Sequence, residues 1–260
     1  MTLSALCVPF LTGDVMKLQL TNARIGMPTA EILAVLVSEN QAISAIFAFS
    51  YRHPTLLQQR LTPTPDEAAI INKAIGLRSA AQLPFWEALM LSCFNEHRNF
   101  ARLLHESTYH QSHRDSLARI SREEVHRGRL SELMDAQSSG YHLSFSSSVE
   151  FGAEGTKHLP LLDFHCPETI ENDRLVSEVC RQLYPDRVVV LSSGESYHAV
   201  GLDTLGEHAF REFLTRSLLF APIVDARYIA HQLLEGACAL RLSNSLDKPN
   251  RPRLKFTLEL

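Results

Sequence analysis

Ser138-Ser139-Gly140-Tyr141-His142-Leu143-Ser144-Phe145-Ser146 is where the chain changes texture. Ser-Ser-Gly is a turn signal, and the six residues after it alternate in the manner of a strand. Before this point the apolar residues recur at helical spacing; after it short strand-like runs alternate with amphipathic helices. The pattern predicts an α+β protein: a mostly helical N-terminal region over residues 1–137, then an α+β core over 138–260.

Working upstream, Ser121-Arg122-Glu123-Glu124 has the capping-box form and leads a short polar helix toward Met134. Leu83-Pro84-Phe85-Trp86-Glu87 starts a helix that runs through Leu89, Met90 and Phe94 toward Leu103 and Leu104. Thr64-Pro65-Asp66-Glu67 is another start, with a Thr cap, Pro in the first turn and acids at the positive end of the helix dipole. Pro28-Thr29-Ala30-Glu31 opens the most hydrophobic stretch, Ile32 to Phe49, interrupted by Glu39, Asn40 and Gln41. That is too short and too polar for a membrane span, so a buried helix is expected.

Downstream, Lys157–Phe164, Arg187–Leu191, Tyr197–Val200, Ala237–Ser243 and Arg253–Leu260 read as strands. Glu168–Leu183, Thr204–Leu218 and Ala226–Leu234 read as helices. Antiparallel neighbours with helices on one face, centred on a split β-α-β module, fit this order.

Composition narrows the function classes. A chain of 260 residues makes one large domain or two small ones, and 45% hydrophobic with 21% charged residues is ordinary for a soluble protein. A net charge of −4 excludes a generally basic surface, so nucleic-acid binding requires a local patch. Cys7, Cys93, Cys166, Cys180 and Cys238 contain no C-x-x-C pair, which predicts reduced thiols in the cytoplasm and excludes a zinc module built from cysteines alone. Met1–Leu11 lacks the basic start of a signal peptide.

Three segments concentrate chemistry at the ends of apolar runs. In Leu162-Asp163-Phe164-His165, period two puts Asp163 and His165 on one face. That pair either ligates a divalent cation, or Asp163 caps the next loop while His165 packs beside Pro167. Ser192-Ser193-Gly194-Glu195-Ser196-Tyr197-His198 follows Val188–Leu191. It is either a phosphate cradle of hydroxyls and backbone N–H groups or a polar hairpin with a solvent-facing histidine. Asp225 ends the run Phe220–Val224, and Arg241 lies in an otherwise apolar strand where it needs an anion, from a triphosphate or from the protein.

Taken together, Asp163-Phe164-His165, then Ser193-Gly194-Glu195-Ser196-Tyr197-His198, then Val224-Asp225-Ala226-Arg227-Tyr228 with Leu240-Arg241-Leu242-Ser243 and Lys248 follow a known motif order. They resemble the archaeo-eukaryotic primase superfamily, which includes the primase–polymerases, and most of all its small stand-alone members called primase 1D-like. The resemblance covers about residues 140–260. It implies a primase-like core with an RRM-like split β-α-β module. It implies Asp163, His165 and Asp225 as catalytic residues holding Mn²⁺ or Mg²⁺, with Mn²⁺ favoured by His165. It places Ser193, Ser196, His198, Arg241 and Lys248 around a nucleoside triphosphate. The implied chemistry is metal-dependent nucleotide transfer to a 3′ hydroxyl on a template. The implied partners are that nucleotide, a DNA or RNA template lying along Lys248, Arg251, Arg253 and Lys255, and a larger protein; no membrane is involved.

Two features depart from the family pattern. Members usually carry an acid two residues after the first Asp, where this chain has His165, and no zinc-binding module is recognisable. A degenerate primase fold that binds nucleic acid or a protein without catalysis therefore stands beside the enzyme. A two-histidine phosphoesterase is a third class: His142-Leu143-Ser144 has the His-x-Ser form, but His198-Ala199-Val200 lacks the hydroxyl. His105, His110, His113 and His126 cluster in a polar helical region, where a solvated face is expected over a metal site.

Overall fold

The alternation that begins at Tyr141 builds the longest strand of the protein, Tyr141–Glu150. The structure, a computed structural model, describes residues 15–52, 62–81, 83–94, 100–108, 112, 116–138, 140–244 and 248–260. Met1–Leu11 with Cys7, and also His110, His113 and Ser139, lie outside the described residues.

The described strands are β1 (Met16–Lys17), β2 (Ala45–Arg52), β3 (Ala118–Ser121), β4 (Tyr141–Glu150), β5 (Thr156–His158), β6 (Leu161–Asp163), β7 (Arg187–Ser192), β8 (Tyr197–Gly201), β9 (Asp203–Thr204), β10 (Ala239–Arg241) and β11 (Arg253–Glu259). The helices are α1 (Thr29–Glu39), α2 (Pro65–Ala81), α3 (Phe85–Phe94), α4 (Ala101–Ser107), α5 (Arg122–His126), α6 (Arg129–Asp135), α7 (Ile170–Leu183), α8 (Glu207–Ser217) and α9 (Ala226–Glu235). The protein is α+β, as the sequence predicts.

One sheet runs β11-β7-β8-β6 and is antiparallel throughout. Because β8 lies between β6 and β7 and opposes both, the β6-α7-β7 crossover is the split β-α-β module. Thr169 caps α7 by accepting from the Asn172 amide at 3.2 Å, and Val176, Val179, Cys180 and Leu183 form its buried face. Tyr197 on β8 pins the start of that helix: its hydroxyl donates to Asp173 at 2.7 Å and accepts from the Thr169 amide at 3.0 Å. At the end of β8, Gly201 has no room for a side chain. A Cβ there would sit 2.5 Å from Pro160 and 2.7 Å from the Tyr184 ring.

The other main sheet runs β10-β4-β2-β3, with β5 also paired to β4. Its centre corrects one expectation: Ile32–Phe49 is not a single helix. α1 stops at Glu39, and Asn40 closes it by donating to the Leu36 carbonyl at 2.7 Å while bonding both the amide and the carbonyl of Gln19. The remaining apolar residues enter β2 and pair with β3 and β4. An apolar run of this length suits a buried strand and a buried helix equally, and the partner strands decide it. Lys157–Phe164 is likewise two strands in two sheets. It is broken before Leu161 at Pro160, which has no N–H to give a ladder.

The capping box at Ser121 is formed: the Ser121 amide donates to Glu124 at 2.8 Å and the Glu124 amide returns to the Ser121 hydroxyl at 3.3 Å.

By contact the described residues of 1–53 and 112–260 form one compact unit and those of 54–111 another, a division drawn elsewhere than 137/138. β2 pairs with β4, and β3 pairs in turn with β2, which binds both early strands to the second half of the chain. The 54–111 unit is helical in its described residues. Ile70, Ile71, Ala74, Ala88, Leu89, Cys93, Phe100 and Leu103 form its own core. The stretch expected as one helix from Leu83 to Leu104 is α3 followed by α4. Arg102 on α4 ties back to α2 through Glu67, donating from Nε at 2.9 Å.

Candidate functional site

Asp163 is the last residue of β6, and His198 on β8 is its cross-strand partner. Directly paired residues share a face, so the imidazole meets the carboxylate, with Nε2 3.6 Å from Oδ1. Beyond Asp163 the chain continues extended: Phe164 forms a bridge with Val224, the His165 amide donates to the Ile223 carbonyl at 2.7 Å, and the Asp225 amide donates to the Asp163 carbonyl at 3.1 Å. Two acids 62 positions apart in sequence thus lie side by side on the backbone. The buried side chains of Phe164 and Val224, 2% and 0% exposed, anchor the contact.

Asp225 has a second task. It is the N-cap of α9, and its Oδ1 accepts from the Arg227 and Tyr228 amides at 2.9 Å each. One carboxylate oxygen is engaged by the helix; Oδ2 has no hydrogen bond within the described residues.

The electrostatics follow from this crowding. Burial and the neighbouring Asp225 charge push the Asp163 carboxyl up to about 7, against the opposing pull of Lys248 and Arg241. Burial and the same two cations push His198 down to about 3, so its ring is neutral. Its Nδ1 is buried with no hydrogen-bond partner among the described residues. Tyr228, one turn into α9, is partly buried with its hydroxyl enclosed beside Cys238 and Asp163, and burial drives its phenol well above the ordinary range.

Ser193 to Ser196 is the hairpin turn that joins β7 to β8. The Ser193 amide donates to the Ser196 carbonyl at 2.9 Å, and the two hydroxyls lie 3.1 Å apart. His198 does not face solvent: it is 4% exposed. Arg241, 8% exposed at the end of β10, donates from Nη1 to the carbonyls of Ser243 at 2.6 Å and Asn250 at 2.8 Å. Its Nη2 donates to the Ser193 carbonyl at 2.8 Å. The anion expected for this arginine is met in part by main-chain oxygens.

The structure therefore brings together Asp163, Asp225, His198, Arg241, Lys248 and the Ser193–Ser196 turn. His165 is exposed just beyond them. Among the described residues, no group of three or more His, Cys, Asp or Glu side chains is close enough to hold a metal, so His165 does not join the two acids in a ready three-ligand cluster. The sequence reading missed Asn250 and the part Tyr228 plays. Tyr228 falls three residues after a helix cap, a spacing that announces proximity to Asp225, whereas nothing local marks the Asn250 carbonyl.

The basic strip is more committed than its composition suggests. Lys255 pairs with Glu168 at 2.8 Å and Asp173 at 3.1 Å, Arg251 approaches Asp135 at 3.5 Å, and Arg253 donates to the Gly26 carbonyl at 3.0 Å. A groove of about 400 Å³ nevertheless opens along Gly194, Asn250, Arg251, Arg253 and Lys255. No helix among the described residues is long and apolar enough to cross a membrane.

The sequence model of one family, archaeo-eukaryotic primase 1D-like, matches residues 121–253, just over half of the chain. The match takes in α5 and α6 as well as the motif segments, and so begins earlier than the resemblance seen in the motifs alone. No curated protein and no solved structure matches the chain.

Proposed function

The chain belongs to the archaeo-eukaryotic primase 1D-like family, and from that premise we propose that it is a metal-dependent nucleotidyltransferase of primase–polymerase type. It adds nucleotides from a nucleoside triphosphate to a 3′ hydroxyl on a template. The observation that carries this reading is the pairing of Asp163 with Asp225 beside the charges of Arg241 and Lys248. A carboxyl lifted to about 7 by burial and by the Asp225 charge beside it marks a site that a cation would relieve. Two carboxylates completed by water and phosphate oxygens are the donor set that a small divalent cation takes in phosphoryl-transfer sites. The residues present therefore fit Mg²⁺ or Mn²⁺, and a nitrogen ligand from His165 would tilt the preference toward Mn²⁺.

When bound, such an ion supplies charge neutralisation on the phosphates and activation of the attacking hydroxyl. The chain's own groups do the rest. Asp163 and Asp225 hold the ion on fixed backbone. Neutral His198 offers a single ring N–H to a phosphate without adding charge. The more exposed part of the turn, Gly194 to Ser196 with the Ser196 hydroxyl, is open to the phosphates while Ser193 holds its shape, and Lys248 and Arg241 offset their charge. The template lies along the groove beside Arg251 and Arg253. The described cysteines Cys93, Cys166, Cys180 and Cys238 are all free, which suits work in the cytoplasm.

The exposed His165, in the place where relatives carry an acid, favours a second reading: a primase fold whose site has decayed into a binding module. Primer extension in Mn²⁺ by wild type, Asp163→Ala and His165→Asp separates the two. Extension by wild type that vanishes in Asp163→Ala supports the enzyme. Extension only after His165→Asp identifies a decayed site, and inactivity of all three leaves the binding module.

A further inference from the structure

We propose that Arg241 is a positioning residue that clamps two loops into one wall of the nucleotide site, and is not itself a phosphate ligand. The inference rests on the nucleotide reading above. Three of the five guanidinium N–H donors are given to main-chain carbonyls, on Ser243, Asn250 and Ser193. Those carbonyls belong to segments that share no strand ladder at these positions: the β7–β8 turn and the connection from β10 to β11. Arg241 as a whole is 8% exposed, and its head group faces those carbonyls.

A second contact closes the same wall. Gly194, next to Ser193 in the turn, has φ +100° and lies against Asn250, so that a Cβ on it would come 3.2 Å from the Asn250 Cβ. The turn and the loop therefore meet over Gly194 and through Arg241, just past the point where the β7–β11 ladder ends at Ser192 and Arg253. What the clamp holds in place is functional in the proposed reading: the Ser193–Ser196 hydroxyls on one side and Lys248, whose charge reaches both Asp163 and His198, on the other. Reaching three carbonyls at once takes a rigid planar fork, which arginine has and lysine lacks.

The test uses the full chain and four proteins: wild type, Arg241→Lys, Gly194→Ala and the double variant. Amide exchange over 193–196 and 248–251 reports the clamp directly. Binding of ATP against adenosine in Mn²⁺ reports its use. Arg241→Lys keeps the charge, so a point-charge role toward the phosphates would largely survive it. A clamp would not: exchange should quicken in both loops, and ATP affinity should fall about tenfold, the size of one charged hydrogen bond. Adenosine affinity should not change. Gly194→Ala, which pushes Asn250 away and strains a backbone at φ +100°, should reproduce this pattern, and the double variant should lose little more than either single, because both loosen the same wall. Unchanged exchange in Arg241→Lys, wild-type ATP affinity in that variant, or additive losses in the double would overturn the proposal. If wild type binds no ATP, the nucleotide reading fails while the exchange data still decide whether Arg241 holds the loops.

Discussion

Replacing Asp225 in two ways separates the two tasks this residue performs. Its Oδ1 accepts from the Arg227 and Tyr228 amides, and its charge raises the pKa of Asp163. Asparagine caps a helix as well as aspartate does, so Asp225→Asn keeps α9 capped and removes only the charge. Alanine removes both. In metal-free buffer at neutral pH, Asp225→Ala should be less stable than Asp225→Asn by about 1 kcal/mol, the usual worth of a cap, or roughly 2–4 °C in Tm for a chain of this size. Asp225→Asn should match or exceed wild type in stability, because it relieves repulsion against Asp163. Carboxyl-carbon NMR should show Asp163 titrating lower than its wild-type value of about 7 in both variants. Both variants should lose divalent-ion binding. Equal stability of the Asn and Ala proteins would refute the cap. An unmoved Asp163 titration would refute the charge coupling, and with it the argument for a shared cation site.

The remaining predictions are independent of metal. Asp163, raised to about 7, holds a proton when folded that it loses when unfolded, so its contribution weakens as pH rises between about 4 and 7. His198, lowered to about 3, takes a proton first when unfolded, so its contribution weakens as pH falls between about 6.5 and 3. The slopes oppose, each at most about 1.4 kcal/mol per pH unit, so Asp163→Asn should lose stability on acidification from pH 6.5 to 4 more steeply than wild type in urea titrations; parallel profiles would count against both shifts. In the 54–111 unit, hydrogen bonds from Arg102 and the Thr64 amide hold the Glu67 carboxyl at about 2, so the pairing is at full strength above pH 4.5 and lost toward pH 2. Glu67→Gln should cost this unit about 1–2 kcal/mol at pH 7, discounted for the half-exposed Arg102, and should flatten its acid transition by circular dichroism. Gly201→Ala should destabilise by about 1–3 kcal/mol in chemical denaturation, since the added methyl meets the Pro160 and Tyr184 rings; a neutral substitution would show that those rings yield.

Local chemistry made much of this protein legible in its sequence. The capping box at Ser121, the helix start at Thr64 and the amphipathic α7 rest on residues three or four apart, and each forms where the spacing places it. The motif order through Asp163, Ser193, His198, Asp225 and Arg241 was legible for the same reason: each short segment sits at a strand end or a helix cap that its own residues specify. What the sequence could not decide was anything that depends on a distant partner. Whether Ala45–Phe49 continues a helix or enters a sheet was settled by hydrogen bonds to β3 and β4. The compact unit that joins the early strands to the second half of the chain has the same origin, because a strand belongs with whatever completes its ladder. The fate of Arg241 was hidden too: a buried guanidinium takes the nearest acceptors, and carbonyls at Ser193 and Asn250 leave no mark in composition. Residue type fixed which groups could bind, ionise or cap; only the packing of β6, β8 and α9 put two acids and a neutral histidine within reach of one another, and burial there reset their charges.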